Sequence, residues 1–314
     1  MATQHVQANL THQPRLADLQ PIALAAPTPA TALRSSAQPR ITPATQLEDR
    51  QGYSSDFLGD FVVPWPTSLT PEDIYPLGNP GNRLDYTHFS ISMSRSRRIA
   101  QYVGVNIDGA SSVEIVRKQD AWAYDGRLPV EAQIGEDMYR DNLLDRGHLV
   151  RRQDPNWGTE AQAANLDTFH FTNCSPQMAA FNQKTWLELE NFILDNTRRW
   201  NGRATIFTGP VLRTDDPVYR GVQIPRAFWK VVAFLGDDGK PSASAYLIDQ
   251  TRELDKLELV FGALRTYRRS VAQIGQLAGV DFGELVRYDG FSNEEQITGT
   301  RIEALIQGPQ DIRL

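Results

Sequence analysis

Cysteine is almost missing from this chain. Cys174 is its one thiol, which excludes an internal disulfide and any zinc site built from several cysteines. It leaves both a reducing and an oxidising compartment open. Long apolar runs are missing as well. Stretches such as Val231–Leu235 fall far short of the ~20 residues needed to cross a bilayer, so the expectation is a soluble protein with no membrane partner. Positive charge is not in excess either. The 32 Lys and Arg against 38 Asp and Glu leave a formal net charge of −6, which excludes a strongly basic nucleic-acid coat. Local basic clusters can still hold phosphate, because salt limits the reach of distant charge to about 10 Å. The N-terminus has no basic region followed by an apolar core. No clear signal peptide is read, and any export is expected to follow a non-classical route.

What is present divides the chain of 314 residues into unlike parts. Residues 1–52 are rich in Ala, Pro and Thr, and such a composition buries too little surface to offset ordering entropy; a disordered tail is expected. A globular unit is expected over 53–290, since all six Trp lie at or after position 65. Residues 291–314 are read as a C-terminal extension. Alternation of apolar and polar residues predicts strands over 84–92, Ile99–Ile107 and Asp167–Thr172. Phe228–Leu235 and Ala243–Ile248, joined through Asp237-Asp238-Gly239, predict a hairpin. Trp186, Leu189, Ile193 and Trp200 recur at helical spacing within 179–200, and a second helix is expected from Ser270 to Leu277. Strands, hairpins and helices mixed in this way favour an α+β class over a parallel sheet.

The segment richest in chemistry is Asp145-Arg146-Gly147-His148. His148 has arginines on both sides, Arg146 and then Arg151 and Arg152. An imidazole among guanidinium groups suits a phosphodiester: it can take a proton from water while arginines hold the anion. Nearby positive charge also favours the neutral ring. Taken alone, the same pattern fits a structural histidine beside a surface arginine cluster. Further along, Asn182 and Glu190 stand eight apart in the helical segment, about 80° from each other around its axis. An amide oxygen and a carboxylate on one face can hold a hydrated hard cation, although such pairs also occur on ordinary solvated surfaces.

Together these segments resemble the DNA/RNA non-specific endonucleases of the ββα-metal (His-Me finger) type. The resemblance rests on the tetrapeptide at 145–148 and on Asn173-x-x-Pro176-Gln177. Asn182, Trp186 and Leu189-Glu190 follow in order. Thr208-Gly209-Pro210-Val211, Ile224-Pro225-x-x-Phe228-Trp229-Lys230, Ser270-Val271-x-x-Ile274 and Gly279-Val280-Asp281-Phe282 complete it, from about Tyr53 to Tyr288. It implies a mixed antiparallel sheet with flanking helices, in which one strand carries His148, a second ends near Asn173 and a helix carries Asn182. By the same resemblance His148 is the general base, Asn182 the direct ligand of one Mg²⁺ or Mn²⁺, and Glu190 the holder of the metal's water. Arg146 orients the site or the substrate phosphate, and Asn173 fixes the catalytic loop. The expected substrates are double- and single-stranded DNA and RNA, cut to 5′-phosphate ends, with an inhibitor or immunity protein as a further expected partner. A binding module without catalysis and a phosphodiesterase of small substrates are the rival readings.

Two departures stand out. Members often follow the tetrapeptide with an apolar residue, Ala and Pro, where this chain has Leu149-Val150-Arg151-Arg152. Many also carry an arginine one turn after the helix glutamate, where this chain has Leu194. Position 194 is expected to border the face of Glu190, with Arg151, Arg152 or Arg198 supplying the missing cation. His170 and Cys174, four apart, are read as structural, and His88 as a strand residue without a visible partner. Arg265-Thr-Tyr-Arg268-Arg269 reads as a solvated helix edge, with a track for nucleic-acid backbone as the alternative. Trp122, Tyr124 and Trp157 read as core or loop anchors that could also stack on bases.

Overall fold

A computed structural model describes residues 9–13, 40–117, 120–178, 185–199, 202–251, 265–306 and 311–312. In chain order its strands begin with β1 (Arg40–Thr42), β2 (Thr67–Ser68), β3 (Leu84–Tyr86), β4 (Phe89–Met93), β5 (Ala100–Asp108) and β6 (Ala123–Asp125). There follow β7 (Leu144–His148), helix α1 (Ala161–Asp167), β8 (Cys174–Met178), helix α2 (Thr185–Arg199) and β9 (Arg203–Val211). The rest are β10 (Val218–Tyr219), β11 (Val222–Gln223), β12 (Ala227–Leu235), β13 (Pro241–Asp249), β14 (Arg265–Arg269), α3 (Val271–Ala278), β15 (Val280–Asp281), α4 (Gly290–Thr298) and β16 (Ala304–Ile306).

Among the described residues, one sheet of eight strands in the order β16-β14-β13-β12-β9-β5-β4-β3 organises the molecule. Every pairing within it is antiparallel. The class is therefore α+β with an antiparallel sheet, as expected. Both faces of this sheet are covered. Successive residues of a strand point to opposite faces, so Phe228 and Val232 of β12 join one core, with Trp122, Phe171, Leu189 and Phe192. Trp229, Val231 and Ala233 join the other, with Val271, Ile274 and Phe282 of the α3 region. Burial on two sides explains why β12 reads as a nearly unbroken apolar run. Lys230, between Val231 and Trp229, consequently points into the first layer.

Several expected elements differ in detail. The strand foreseen over 84–92 is a tight hairpin, β3–β4, in which Tyr86 pairs with Phe89. Asp167–Thr172 is not a strand: α1 ends at Asp167 and a 3-10 turn spans Phe171–Asn173. The second strand of the site thus begins after Asn173 instead of ending there. The helix expected over 179–200 runs over Thr185–Arg199, while 179–184 and Trp200 lie outside the described residues. Arg265–Arg269 is strand β14 rather than a helix edge. The residues read as tail and extension also take part. Strand β1 runs parallel to β6, and Arg50 Nε donates to Asp167 Oδ2 at 2.7 Å. Strand β16 covers the edge of β14, and Asp289 caps α4 by accepting from the amides of Phe291 and Ser292. Residues 1–8 and 14–39 of the expected tail lie outside the described residues. Among the described residues no helix is long and apolar enough to cross a membrane.

Candidate active site

The site is built on a two-stranded ribbon apart from the main sheet. Strand β7 pairs antiparallel with β8, with Arg146 opposite Pro176, Gly147 opposite Ser175 and His148 opposite Cys174. Alternation places Leu144, Arg146 and His148 on one face of β7, with Asp145 and Gly147 on the other. Glycine is required at 147: a Cβ there would lie 2.0 Å from Gln177 Oε1, and Gln177 is fully buried. The chain leaving His148 is tied down by Asn173. Its Nδ2 donates to Val150 O at 2.9 Å and Thr168 O at 3.0 Å, and its Oδ1 accepts from Val150 N at 2.9 Å. Leu149 N adds a bond to Asn173 O at 2.9 Å. Fully buried, with donor and acceptor both used, Asn173 leaves the loop little freedom.

His148 sits against Trp122, with ring centroids 4.8 Å apart, and against the edge of Phe169 at 5.2 Å. Its Nε2 is closed off from solvent and has no hydrogen-bond partner. Burial pushes its pKa down to about 3; Asp120 pulls the other way, and Arg117 and Arg152 add to the lowering. Basic neighbours alone were expected to keep the ring neutral, but loss of hydration does more than they do. Arg146 is differently committed. Its guanidinium forms an ion pair with Glu136, with Nε 3.1 Å from Oε2. It lies 6.0 Å from the Trp122 ring centroid and 5.6 Å from that of Tyr139.

Helix α2 is linked to the chain leaving His148 through Lys230, whose Nζ donates to Leu149 O at 3.5 Å. Leu189, Phe192, Ile193 and Leu194 are all buried, so this helix is packed around most of its circumference. Glu190 is buried as well, and Lys230 Nζ lies 3.2 Å from its Oε1. The contact is one of charge rather than a directed hydrogen bond, since Oε1 has no hydrogen-bond partner. Lys230 also donates to Thr208 Oγ1 at 3.1 Å. Asp154, buried nearby, is pushed up to about 7 by burial, against the pull of Arg151 and Lys230 and with Glu190 adding to the rise. Asp154, Arg117 and Lys230 were not singled out as site residues from sequence. Only Lys230 had a signal, its place in the Phe-Trp-Lys motif. Leu194 does not border the site: it is 1% exposed and belongs to the first core. Asn182, the expected metal ligand, lies outside the described residues, as does the side chain of Trp186.

The remaining candidates are structural. His170 bonds Asp167 O at 2.8 Å and Thr42 Oγ1 at 2.9 Å, while the Cys174 thiol is buried near Tyr139. His88 has a partner after all: it stacks on Trp157 at 3.4 Å and bonds Pro155 O through Nδ1 at 2.8 Å. Trp157 donates to Asn106 O, so both rings are internal anchors. Arg268 is buried against Asp289 and Phe291.

The ribbon β7–β8 followed by α2, with Lys230 reaching both Glu190 and the carbonyl of Leu149, the residue after His148, can be compared with known proteins. The profile of the DNA/RNA non-specific endonucleases matches residues 70–289. The chain belongs to the DNA/RNA non-specific endonuclease family. Within 38% identity over 298 residues, it is similar to "Uncharacterized protein y4fB" of Sinorhizobium fredii, covering 85% of this chain and 44% of that protein. It is also similar to mitochondrial endonuclease G of Bos taurus, at 29% identity over 122 residues, 35% of this chain and 40% of the relative. The chain therefore spans less than half the length of these curated relatives. Among solved structures, a chain of an EndoG/EndoGI complex shares the fold with a TM-score of 0.52 at 18% identity, covering 68% of this chain and 91% of the other.

Proposed function

We propose that this family member is a metal-dependent endonuclease. It hydrolyses phosphodiester bonds of double- and single-stranded DNA and RNA to 5′-phosphate ends, without selecting sugar or sequence. The observation that carries the reading is the unpartnered Nε2 of a neutral His148, within electrostatic reach of Arg117 and Arg152. A proton acceptor without a hydrogen bond is costly to bury, and a water about to attack phosphorus would give it one. Indifference to sequence follows if contacts go to the phosphate backbone and not to base edges.

The donor set suits a hard divalent cation. Among the described residues no three His, Cys, Asp or Glu side chains gather as a metal site. A hydrated ion needs fewer protein ligands, and Glu190 Oε1 is a buried carboxylate oxygen without a hydrogen bond. Asn182 would hold Mg²⁺ or Mn²⁺ directly and Glu190 through water. Such an ion supplies neutralisation of charge on the phosphate and on the departing 3′ oxygen. His148 takes the proton of the attacking water. An anionic phosphate beside the ring raises its proton affinity, so the imidazole becomes a better base as substrate enters. Asn173 keeps the ring's loop in place, and Lys230 holds the Glu190 carboxylate. A protein inhibitor or immunity partner covering this face belongs to the same reading; the structurally similar EndoG chain is one half of an inhibited complex.

His148→Ala should leave the fold intact and lower cleavage of plasmid DNA and RNA by about two to four orders of magnitude. Retention of more than a tenth of the parent rate would reject the base. Excess EDTA should silence the parent reversibly, and Asn182→Ala should raise the Mg²⁺ requirement; cleavage undiminished in EDTA would sink the metal-dependent reading.

A further inference from the structure

We infer that Arg151, Arg152 and Arg198 form a track for successive backbone phosphates of a nucleic-acid strand, and that this track favours polymers over small diesters. The inference deepens the nuclease reading, and its cleavage arm rests on that reading. Arg151 and Arg152 leave the end of β7, and Arg198 stands in the last turn of α2. All three are half-buried. Each is anchored on a neutral oxygen. Arg151 Nη2 donates to Asn191 Oδ1 at 2.5 Å, Arg152 Nη1 to Ile115 O at 3.0 Å, and Arg198 Nε to Ser112 Oγ at 2.7 Å. Among the described residues none of the three has a carboxylate within ion-pair distance, whereas Arg50, Arg97, Arg127, Arg146 and Arg203 all do.

Two donors are left over. Arg151 Nη1 and Arg198 Nη2 are closed off from solvent and have no hydrogen-bond partner. Burying a charged donor unsatisfied is expensive, and so is crowding like charges. Arg152 is held below its ordinary pKa by burial and by Arg117, Arg151 and Arg198, with Asp120 opposing. Arg198 is lowered by burial and by Arg151, with Asp195, Asp154 and Glu114 opposing. A bound polyanion relieves the crowding of like charge on these half-buried side chains. The planar guanidinium fork matches phosphate oxygens, and anchoring on neutral groups leaves its charge unspent. A single diester carries one negative charge, fewer than three guanidiniums bring; consecutive phosphates of a strand supply the balance. The cluster adjoins the proposed site: Arg151 is tied to Asn191, the neighbour of Glu190, and Arg152 adds to the lowering at His148.

The test measures binding without cleavage: a labelled single-stranded oligonucleotide of about twenty nucleotides, in EDTA, titrated at several salt concentrations. Each lost phosphate contact on a single strand flattens the slope of log K against log salt by about 0.7. Arg151→Gln, Arg152→Gln and Arg198→Gln should each do so, and the triple variant by about 2, with melting temperatures unchanged or raised because repulsion is relieved. Arg→Lys variants should keep most of the slope. With Mg²⁺ present, the triple Gln variant should lose at least fivefold more activity on DNA than on bis(4-nitrophenyl) phosphate. Unchanged slopes overturn the track, as do equal losses on DNA and on the small diester. If the Gln variants fail to fold, lysine variants that lose the slope overturn it as well. A parent that binds with a steep slope but cuts nothing would sink the nuclease reading and leave the binding track standing. A parent that cuts, with slopes unmoved in the variants, would do the reverse.

Discussion

Closing the Nε2 of His148 away from water changes what acid does to the protein. The ring titrates at about 3 in the fold against 6.5 ordinarily, so between those values the unfolded chain holds a proton that the folded chain refuses. Stability from this source is complete above pH 6.5 and erodes as the pH falls toward 3, by up to about 1.4 kcal/mol per unit. Asp154 works with the opposite sign. Burial raises it to about 7, so its contribution is present in acid and is lost as the pH rises through that value. A comparison of the parent with His148→Gln cancels Asp154, which both retain. Urea midpoints followed from pH 7 to 5 should fall more steeply in the parent, and parallel curves would show that the ring is not held neutral. The acid limb of the cleavage rate should likewise lie between pH 3 and 6.5 under chemistry-limited conditions.

At the scale of elements, helix α2 makes the sharpest prediction. Position 194 is one turn beyond Glu190, but the helix is packed on that side and Leu194 is in the core. Leu194→Arg should therefore bury a charge, costing about 3 kcal/mol or more, with no gain in cleavage. A thermal melt beside a rate measurement decides it; an unchanged melt with faster cleavage would reverse the assignment. Much of this level was legible beforehand. The β12–β13 hairpin declared itself through two apolar runs around Asp237-Asp238-Gly239, with Gly239 at φ 75°. Helix α3 had its Ser270 cap, which accepts from Gln273 N. The β3–β4 turn was hidden because no glycine marks it. His88 occupies the left-handed position at φ 69°, held there by Trp157 and Pro155, which come from far along the chain. Phe169 and Phe171 alternated like strand residues, but the second lies in a 3-10 turn whose amides are used locally. The Arg265–Arg269 run looked solvated because its partner, Asp289, is distant in sequence. The motifs located His148, Asn173 and Glu190, while the lysine under Glu190 and the acid at 154 converge only through the sheet.

For the whole molecule, the decisive arrangement is the pairing of β5 with β9 near the middle of the sheet. Asp108 and Arg203 are register partners, and Gly109 N donates to Gly202 O at 2.8 Å. The chain between them, residues 109–202, departs and returns at one point. It carries His148, Arg151, Arg152, Asn173, Asn182 and Glu190 and covers one sheet face. Length alone is a mild burden, since closure entropy rises by only about 0.6 kcal/mol for each doubling. Time is another matter, because pairings distant in sequence form slowly. The local β12–β13 and β4–β5 hairpins can zip early, but the β5–β9 pairing must wait for the two strands to meet across the whole excursion. In pulse-labelled refolding, the amides of Val105 and Ile107, which alternate to the β9 side because Asn106 N bonds His88 O on the other, should gain protection later than that of Asn106, and any nuclease activity should return with the slower set. A freshly made chain would then acquire its local hairpins before the excursion that carries His148 and Glu190 is closed, so the proposed site is assembled as a late event of folding.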